Sequence, residues 1–229
     1  MRAWQTIRAS AFGRHCHNEA YAAVVLSGCY EEAGDRGRFW VEAGDVILHD
    51  RFEAHLDRFP GSGAVVLNLG LHSNHSFTPG AWKVVDPDLI IRTAEQNRAK
   101  ASELLLLTVN EYHSKNAEWP DELAAAIIQD PSMILSQWAE LRCLKPWAVS
   151  RGFYQVFGIT PEAFRARTRA LHAWKAIQTT PEPLAQIACN LGFADQAHMT
   201  RGVKHTTGLG PAAWRTVANR YKTRERFGL

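Results

Sequence analysis

The sequence has no run of 18 or more apolar residues, so nothing in it is expected to cross a membrane. Its start, Met1-Arg2-Ala3-Trp4-Gln5-Thr6, lacks the apolar segment of a secretory signal. Cysteine is scarce, and Cys16, Cys29, Cys143 and Cys189 are scattered, with no Cys-x-x-Cys pair. That excludes a zinc knuckle and a disulfide framework and suits a reducing cytoplasm. Nothing matches Gly-x-Ser-x-Gly, a P-loop or Gly-x-Gly-x-x-Gly, so nucleophilic, kinase and dinucleotide chemistry has no support. The expectation is a chain that is not an enzyme, with no catalytic residue and no cofactor.

What is present is an ordinary globular composition: 229 residues, 46% hydrophobic and 21% charged. This is enough apolar material for one large or two small cores, and it excludes disorder and a coiled-coil rod. The net charge of +3 conceals an asymmetry. Residues 131–229 carry 14 Lys and Arg against 5 Asp and Glu, a net +9, while residues 1–130 carry 12 against 18, a net −6. The basic part suggests a polyanion such as nucleic acid as its partner; the alternative is a basic face with no partner.

The first ninety residues read as β structure. A β-branched apolar run, Tyr21 to Gly28, precedes the turn cluster Ala33-Gly34-Asp35-Arg36-Gly37. Then come Arg38 to Val41, the turn Glu42 to Asp45, the run Val46-Ile47-Leu48, and Gly63 to Leu69. Short strands at close spacing with Gly and Asp turns predict an antiparallel sandwich or barrel. At Thr93 the period changes. Thr93-Ala-Glu-Gln96 has the form of a capping box, and no Gly or Pro follows before about Lys115, so one helix of about six turns is predicted. Its four consecutive leucines, Leu104 to Leu107, cannot all face one neighbour, which points to a sister subunit and a homodimer, or to the C-terminal half folding back. Asn116 to Pro120 is a polar break. The predicted domains are therefore 1–92, a β-barrel; 93–120, a helical connector; and 121–229, all helical. Pro120, Pro146, Pro161 and Pro211 sit at predicted helix starts, and Gly158, Gly192 and Gly208 at predicted helix ends.

The helical half contains a repeat. Arg151, Gly158 and Pro161 recur as Arg201, Gly208 and Pro211, all offset by 50. Each copy reads as a short helix, a tight turn and a second helix, which is the helix-turn-helix pattern, and the run from Pro161 to about Ile177 joins them. Ile187-Ala-Cys-Asn-Leu-Gly-Phe-Ala-Asp-Gln-Ala-His-Met-Thr-Arg201, with Gly208-Leu-Gly-Pro-Ala-Ala-Trp-Arg215 after it, resembles the most diagnostic stretches of the AraC/XylS family of bacterial transcription regulators. The resemblance spans about Asp121 to Arg220. It implies recognition helices from about Pro146 to Phe157 and from about Gln196 to Thr206. Groove-facing residues would be Trp147, Ser150 and Arg151 in the first, and Gln196, Ala197, Thr200 and Arg201 in the second. Their chemistry is coherent: Arg reads guanine, Gln reads adenine, and Ala or the Thr methyl contacts the thymine methyl. Lys145, Tyr154, Lys204 and His205 would contact phosphate. Val149, Phe153, Val156, Phe157, Leu184, Ile187, Ala188, Leu191, Phe193, Met199 and Val203 are the expected core. Asp195 is the expected N-cap of the second recognition helix; Lys145 stands where Ser or Thr would cap the first. Implied partners are double-stranded DNA, with RNA polymerase and a small-molecule effector as further candidates.

In the N-terminal half, His15-Cys16-His17, the turn Glu42 to Asp45 with His49 beyond it, and Glu53-Ala54-His55 resemble the cupin-like β-barrel sensor domain of many such regulators. The fold class implied is α+β, with a cupin-like barrel followed by an all-α domain. Two His at alternate strand positions share a face and can chelate a metal with a third from a neighbouring strand. The metal-binding cupins, however, have Glu where Tyr21 and Ala22 stand, and a further His at the position of Ile47. The expectation is therefore no metal, with His15, His17, Tyr21, His49 and His55 lining an organic-effector pocket. His72 and His75 read as a polar loop. The leading reading is a sequence-specific DNA-binding transcription regulator; the alternatives are a cupin metalloenzyme with an accessory DNA-binding module, and a DNA-binding module whose N-terminal half only dimerises.

Overall fold

The computed structural model describes residues 4–8, 10–61, 63–72, 76–112 and 118–227. Its contacts divide the chain into two units: 1–124 with 152–159, and 125–151 with 160–229.

In the first unit the chain runs through β1 (Gln5–Ile7), β2 (Ser10–Cys16), β3 (Tyr21–Gly34), β4 (Gly37–Glu42), β5 (Asp45–His49), β6 (Ala54–Phe59), β7 (Ala64–Gly70) and β8 (Gly80–Val84). Next come helices α1 (Pro87–Gln96) and α2 (Arg98–Thr108) and a last strand, β9 (Val109–Glu111). All pairings are antiparallel, and two sheets share the long strand β3. Its first half lies between β5 and β7, and its second half pairs with β4 and β6, with β2 beyond β6. The crossover falls at a bulge after Val25 and at Gly28, whose φ of 76° is left-handed. A Cβ at Gly28 would collide with the Gly63 carbonyl, so only glycine fits there.

The period-2 alternation sorts β3 between two cores. Ala22 and Val24 join Val46, Leu48, Leu67 and Leu69 under Ile90, Ala94, Ala101 and Leu105 of the two helices. Ala23 and Val25 face the other way, toward Tyr30, Val41, Ile47, Phe59 and Val66. Because β5 is buried on both faces, it reads in sequence as an unbroken apolar run rather than an alternation.

Three sequence expectations are corrected here. The strand expected to end at Gly28 continues to Gly34, because the bulge and the glycine turn it into the second sheet instead of ending it. The single helix from Thr93 to Lys115 is two helices and a strand. Asp86 caps α1 by accepting from Leu89 N–H, and Thr93 lies inside that helix, donating to the Leu89 carbonyl. Asn97, extended at φ −154° and ψ 105°, ends α1 and caps α2 through Lys100 N–H. Val109 then leaves the helix to pair with Val84, and Lys115 lies outside the described residues. Backbone pairing to an open sheet edge outweighs the helical pattern at Thr108-Val109, where two β-branched residues favour extension. The polar break at Asn116 to Pro120 lies partly outside the described residues, and Trp119 and Pro120 already open the next helix.

The helices beyond are α3 (Trp119–Gln129), α4 (Leu135–Leu141), α5 (Pro146–Phe157), α6 (Pro161–Thr179), α7 (Leu184–Asn190), α8 (Gln196–Thr207) and α9 (Pro211–Phe227). The Thr160 side chain caps α6 and Asp195 caps α8, by accepting from Ala163 N–H and His198 N–H. Gly208 ends α8 in the left-handed region, at φ 79°. In the second unit α6 is a 19-residue rod, about 28 Å long at 1.5 Å per residue. It buries Phe164, Ala170, Ala173, Trp174 and Ile177 among its neighbours. Arg169 on α6 donates to the carbonyls of Gly192 and Pro131, tying the turn between α7 and α8 to the loop between α3 and α4. Trp214 of α9 donates through Nε1 to Thr207 Oγ1 at 2.7 Å and meets Trp174 edge-on. Of the expected core, Val149, Phe153, Phe157, Ile187, Ala188, Phe193, Met199 and Val203 are buried. Val156, Leu184 and Leu191 are only partly so.

Candidate nucleic-acid interface and N-terminal pocket

Helix α8 buries every fourth residue, Met199, Val203 and Thr207. Periodicity then turns Gln196, Ala197, Arg201, Lys204 and His205 outward, with Thr200 half-buried at the edge of that face. Helix α5 repeats the arrangement. Val149, Phe153 and Phe157 are buried, Trp147 and Tyr154 are 65% and 57% exposed, Arg151 is exposed and Ser150 half-buried. Lys145 is exposed one residue before α5. Among the described residues, Arg151, Arg201 and Lys204 take part in no ion pair. Each of the two helices follows a shorter one across a tight turn, and α6 runs between the two pairs. Two helix-turn-helix units joined by one long helix define the class of this half.

In the first unit a cavity of about 180 Å³ opens between the two sheets. His15, His17, Tyr21, Glu32, His55 and Asp57 form its polar end; Ile7, Phe12, Tyr30, Phe59 and Val66 form its apolar end. The antiparallel register makes this end. His15 lies directly across from His55, and Glu32 directly across from Asp57. The imidazole centroids of His15 and His17 lie 4.4 and 5.5 Å from that of His55. His55 Nδ1 is 3.1 Å from both Glu32 Oε2 and Asp57 Oδ1, and its Nε2 is 3.2 Å from the Tyr21 hydroxyl. Burial alone would depress the His55 pKa, but Glu32 and Asp57 hold it protonated and lift it to about 10. Burial raises Glu32, and the His55 charge pulls it back. His49 stands behind Tyr21, stacked on it at 4.4 Å, and lines a second, smaller void with Glu32, Glu53 and His55. Burial, then the His55 charge, pushes His49 well below its usual value. Its Nε2 has no hydrogen-bond partner among the described residues, with Glu32 Oε2 3.5 Å away. His72 is an exposed loop residue, and His75 lies outside the described residues.

Of the five residues expected to line one pocket, His15, His17, Tyr21 and His55 do so, while His49 sits behind them. Sequence reasoning missed Glu32 and Asp57. Adjacent acids such as Glu31-Glu32 are uncommon within strands, and that was the one available signal.

A family model described as a helix-turn-helix domain matches residues 138–216. The arabinose operon regulatory protein of Escherichia coli is 32% identical over 88 residues, 38% of this chain and 30% of that protein. An uncharacterized HTH-type transcriptional regulator of Bacillus subtilis, YisR, is 29% identical over 72 residues, 31% of this chain and 25% of that one. The matched region spans less than a third of either relative. Among solved structures, ToxT from Vibrio cholerae aligns over 93% of this chain and 98% of its own, with 10% identity and a TM-score of 0.44. Residues 138–216 thus form a helix-turn-helix domain similar to that of the arabinose operon regulatory protein, preceded by an antiparallel sheet-rich unit. No helix among the described residues is long and apolar enough to cross a membrane.

Proposed function

We propose that this chain is a sequence-specific DNA-binding transcription regulator of the AraC type, acting in the cytoplasm rather than as an enzyme. One observation carries this reading: the unpaired, outward stripe of Gln196, Ala197, Thr200, Arg201 and Lys204 on α8, which a four-residue core period leaves free. In this reading α8 and α5 enter successive major-groove segments. Arg201 and Arg151 read guanine, Gln196 reads adenine, and Ala197 and Thr200 meet thymine methyls, with Trp147 and Ser150 beside Arg151. Lys145, Tyr154, Lys204 and His205 hold phosphate. The cavity takes a small effector, and the response reaches RNA polymerase at the promoter. Two copies pair through α2, whose Leu107 is 84% exposed.

The test is crosslinking in cells followed by sequencing of the bound fragments. Discrete sites sharing one motif are expected; fragments no more enriched than input would overturn the reading. The metalloenzyme alternative has the imidazole cluster in its favour. It predicts that Arg151→Ala with Arg201→Ala leaves the chain's effect in cells intact, whereas the regulator reading predicts its loss.

A further inference from the structure

A helix leaves its last four carbonyls without partners of its own. At the end of α5 the Tyr154 carbonyl accepts from Gly158 N–H. The other three accept from two arginines far upstream in the chain. Arg58 Nη2 donates to the carbonyls of Gln155, at 2.6 Å, and Val156, at 3.2 Å, and Arg14 Nη1 donates to that of Phe157, at 3.1 Å. Residues 152–159 belong to the first unit, so all of these bonds lie inside it.

We propose that Arg14 and Arg58 clamp the end of α5, and that the state of the cavity sets how firmly the clamp holds. The DNA contacts of Trp147, Ser150 and Arg151, on the same unbroken helix, then depend on the cavity. This rests on the reading of α5 as a recognition helix.

Both arginines are fixed from behind. Arg14 pairs with Asp35, whose second carboxylate oxygen accepts from Ala54 N–H. Arg58 Nη1 pairs with Glu31 at 2.6 Å. Two cations at a helix C-terminus also oppose the negative end of its dipole.

The link to the cavity follows from strand geometry, since successive side chains point to opposite faces. On β6, His55, Asp57 and Phe59 line the cavity. Between them, Arg58 reaches the end of α5, and Leu56 lies 2.8 Å from where a Cβ on Gly158 would stand. On β2, His15 lines the cavity and its neighbour Arg14 holds Phe157. On β3, Glu32 lines the cavity and its neighbour Glu31 holds Arg58. Whatever turns the inner residues of these strands turns the clamp with them.

Helix α5 also has more need of such support than α8. Both end at a left-handed glycine, Gly158 and Gly208. The Asp195 side chain caps the start of α8, whereas α5 follows Lys145, whose ammonium only donates and cannot cap an N–H.

Amide hydrogen exchange on the untagged full-length chain, without DNA, tests the clamp. Arg58→Ala is the first variant, because Arg58 is 39% exposed and Glu31 keeps Arg38 at 3.5 Å. Residues 155–158 should exchange about 10-fold faster and residues 204–208 at the parent rate. Arg14→Lys, which keeps a cation beside Asp35, should speed the same segment by a smaller factor. Parent rates at 155–158 in both variants overturn the clamp. Coupling is read from the cavity side. Asp57→Asn and Phe12→Ala should each speed exchange at 155–158 by about 3-fold in the parent and leave it unchanged in the Arg58→Ala chain. Equal changes in both backgrounds overturn the coupling. On a duplex recovered by crosslinking, Arg58→Ala should weaken hydroxyl-radical protection of the block under α5 and spare the block under α8; equal loss of both overturns the link to DNA. A chain that binds no duplex overturns the regulator reading instead, and the exchange arms still decide the clamp.

Discussion

His55 Nδ1 and Glu32 Oε2 lie 3.1 Å apart, with both side chains about 5% exposed. The pair joins two strands of one sheet, β6 and β3, and it holds a proton that the unfolded chain would not keep. His55 stays protonated to about pH 10 in the folded chain, whereas an ordinary histidine loses its proton near 6.5. Between those values the native state binds more protons than the unfolded state, so stability falls as pH rises. The contribution is complete below pH 6.5 and is lost as pH passes 10. Urea unfolding of the chelator-treated chain should show this decline, and Glu32→Gln should shrink it. A flat profile across the window would contradict the pairing.

Gly34 makes the same region possible. It opposes His55 in the register, and a Cβ there would stand 2.9 Å from His55 Cβ and 3.1 Å from the Ala54 carbonyl. Gly34→Ala should therefore force β6 outward and cost about 1–3 kcal/mol, as overpacking does. Gly44→Ala, at a turn glycine whose added Cβ meets nothing within 4 Å, is a control for backbone strain alone, since Gly44 has φ 92°. The Gly34 variant should also move His55, read by its imidazole resonances in NMR spectra. Wild-type resonances in that variant would count against the close approach.

On DNA, Arg201→Ala should lose about 1–3 kcal/mol and relax preference at one base pair. Lys204→Ala should instead weaken operator and random DNA about equally and lower the salt dependence. Fluorescence anisotropy on both duplexes at several salt concentrations separates the two. An unchanged operator-to-random ratio for Arg201→Ala would remove it from the base readers.

The two helix-turn-helix units, through α5 and α8, should contact successive major-groove segments about 34 Å apart, giving two short blocks about 10 bp apart per protomer. Hydroxyl-radical footprinting reads this directly. Protection of a single block would show that α5, which begins after Lys145 rather than a Ser or Thr cap, does not read bases.

Leu105 and Leu107 are two residues apart and should behave oppositely. Leu105 is fully buried under α1 and the sheet, so Leu105→Ala should cost about 2–5 kcal/mol in thermal or urea unfolding. Leu107→Glu, at an 84% exposed position, should leave the fold intact and shift sedimentation from dimer to monomer. A wild-type chain that is monomeric at micromolar concentration would end the homodimer proposal.

Much of the helical half was legible in the sequence because its signals are local. A helix start such as Thr160-Pro161 or Asp195-Gln196, a left-handed glycine such as Gly208, and a four-residue apolar period each act within one or two turns. The predicted spans of α5 and α8 agree with those observed to within a residue. The same local rules misread Thr93 to Lys115, because Asn97 as a cap and Val109 as a strand are decided by what lies beside them.

The sequence alone determined that there are two helix-turn-helix units, which faces of α5 and α8 point outward, and that the chain before the first helix, which begins at Pro87 rather than after residue 90, is β structure. Only the tertiary structure decided that His15, His17, Glu32, His55 and Asp57 share one end of one cavity. Those residues are up to 42 positions apart, and they meet through the pairing of β2 with β6 and β6 with β3. Register in a sheet is collective. A slip of one residue on β6 would turn His55 and Asp57 to the opposite face and present Leu56 instead, and no local signal in the chain forbids that slip. What forbids it is the sum of the apolar faces that must be buried on both sides of β3 at once.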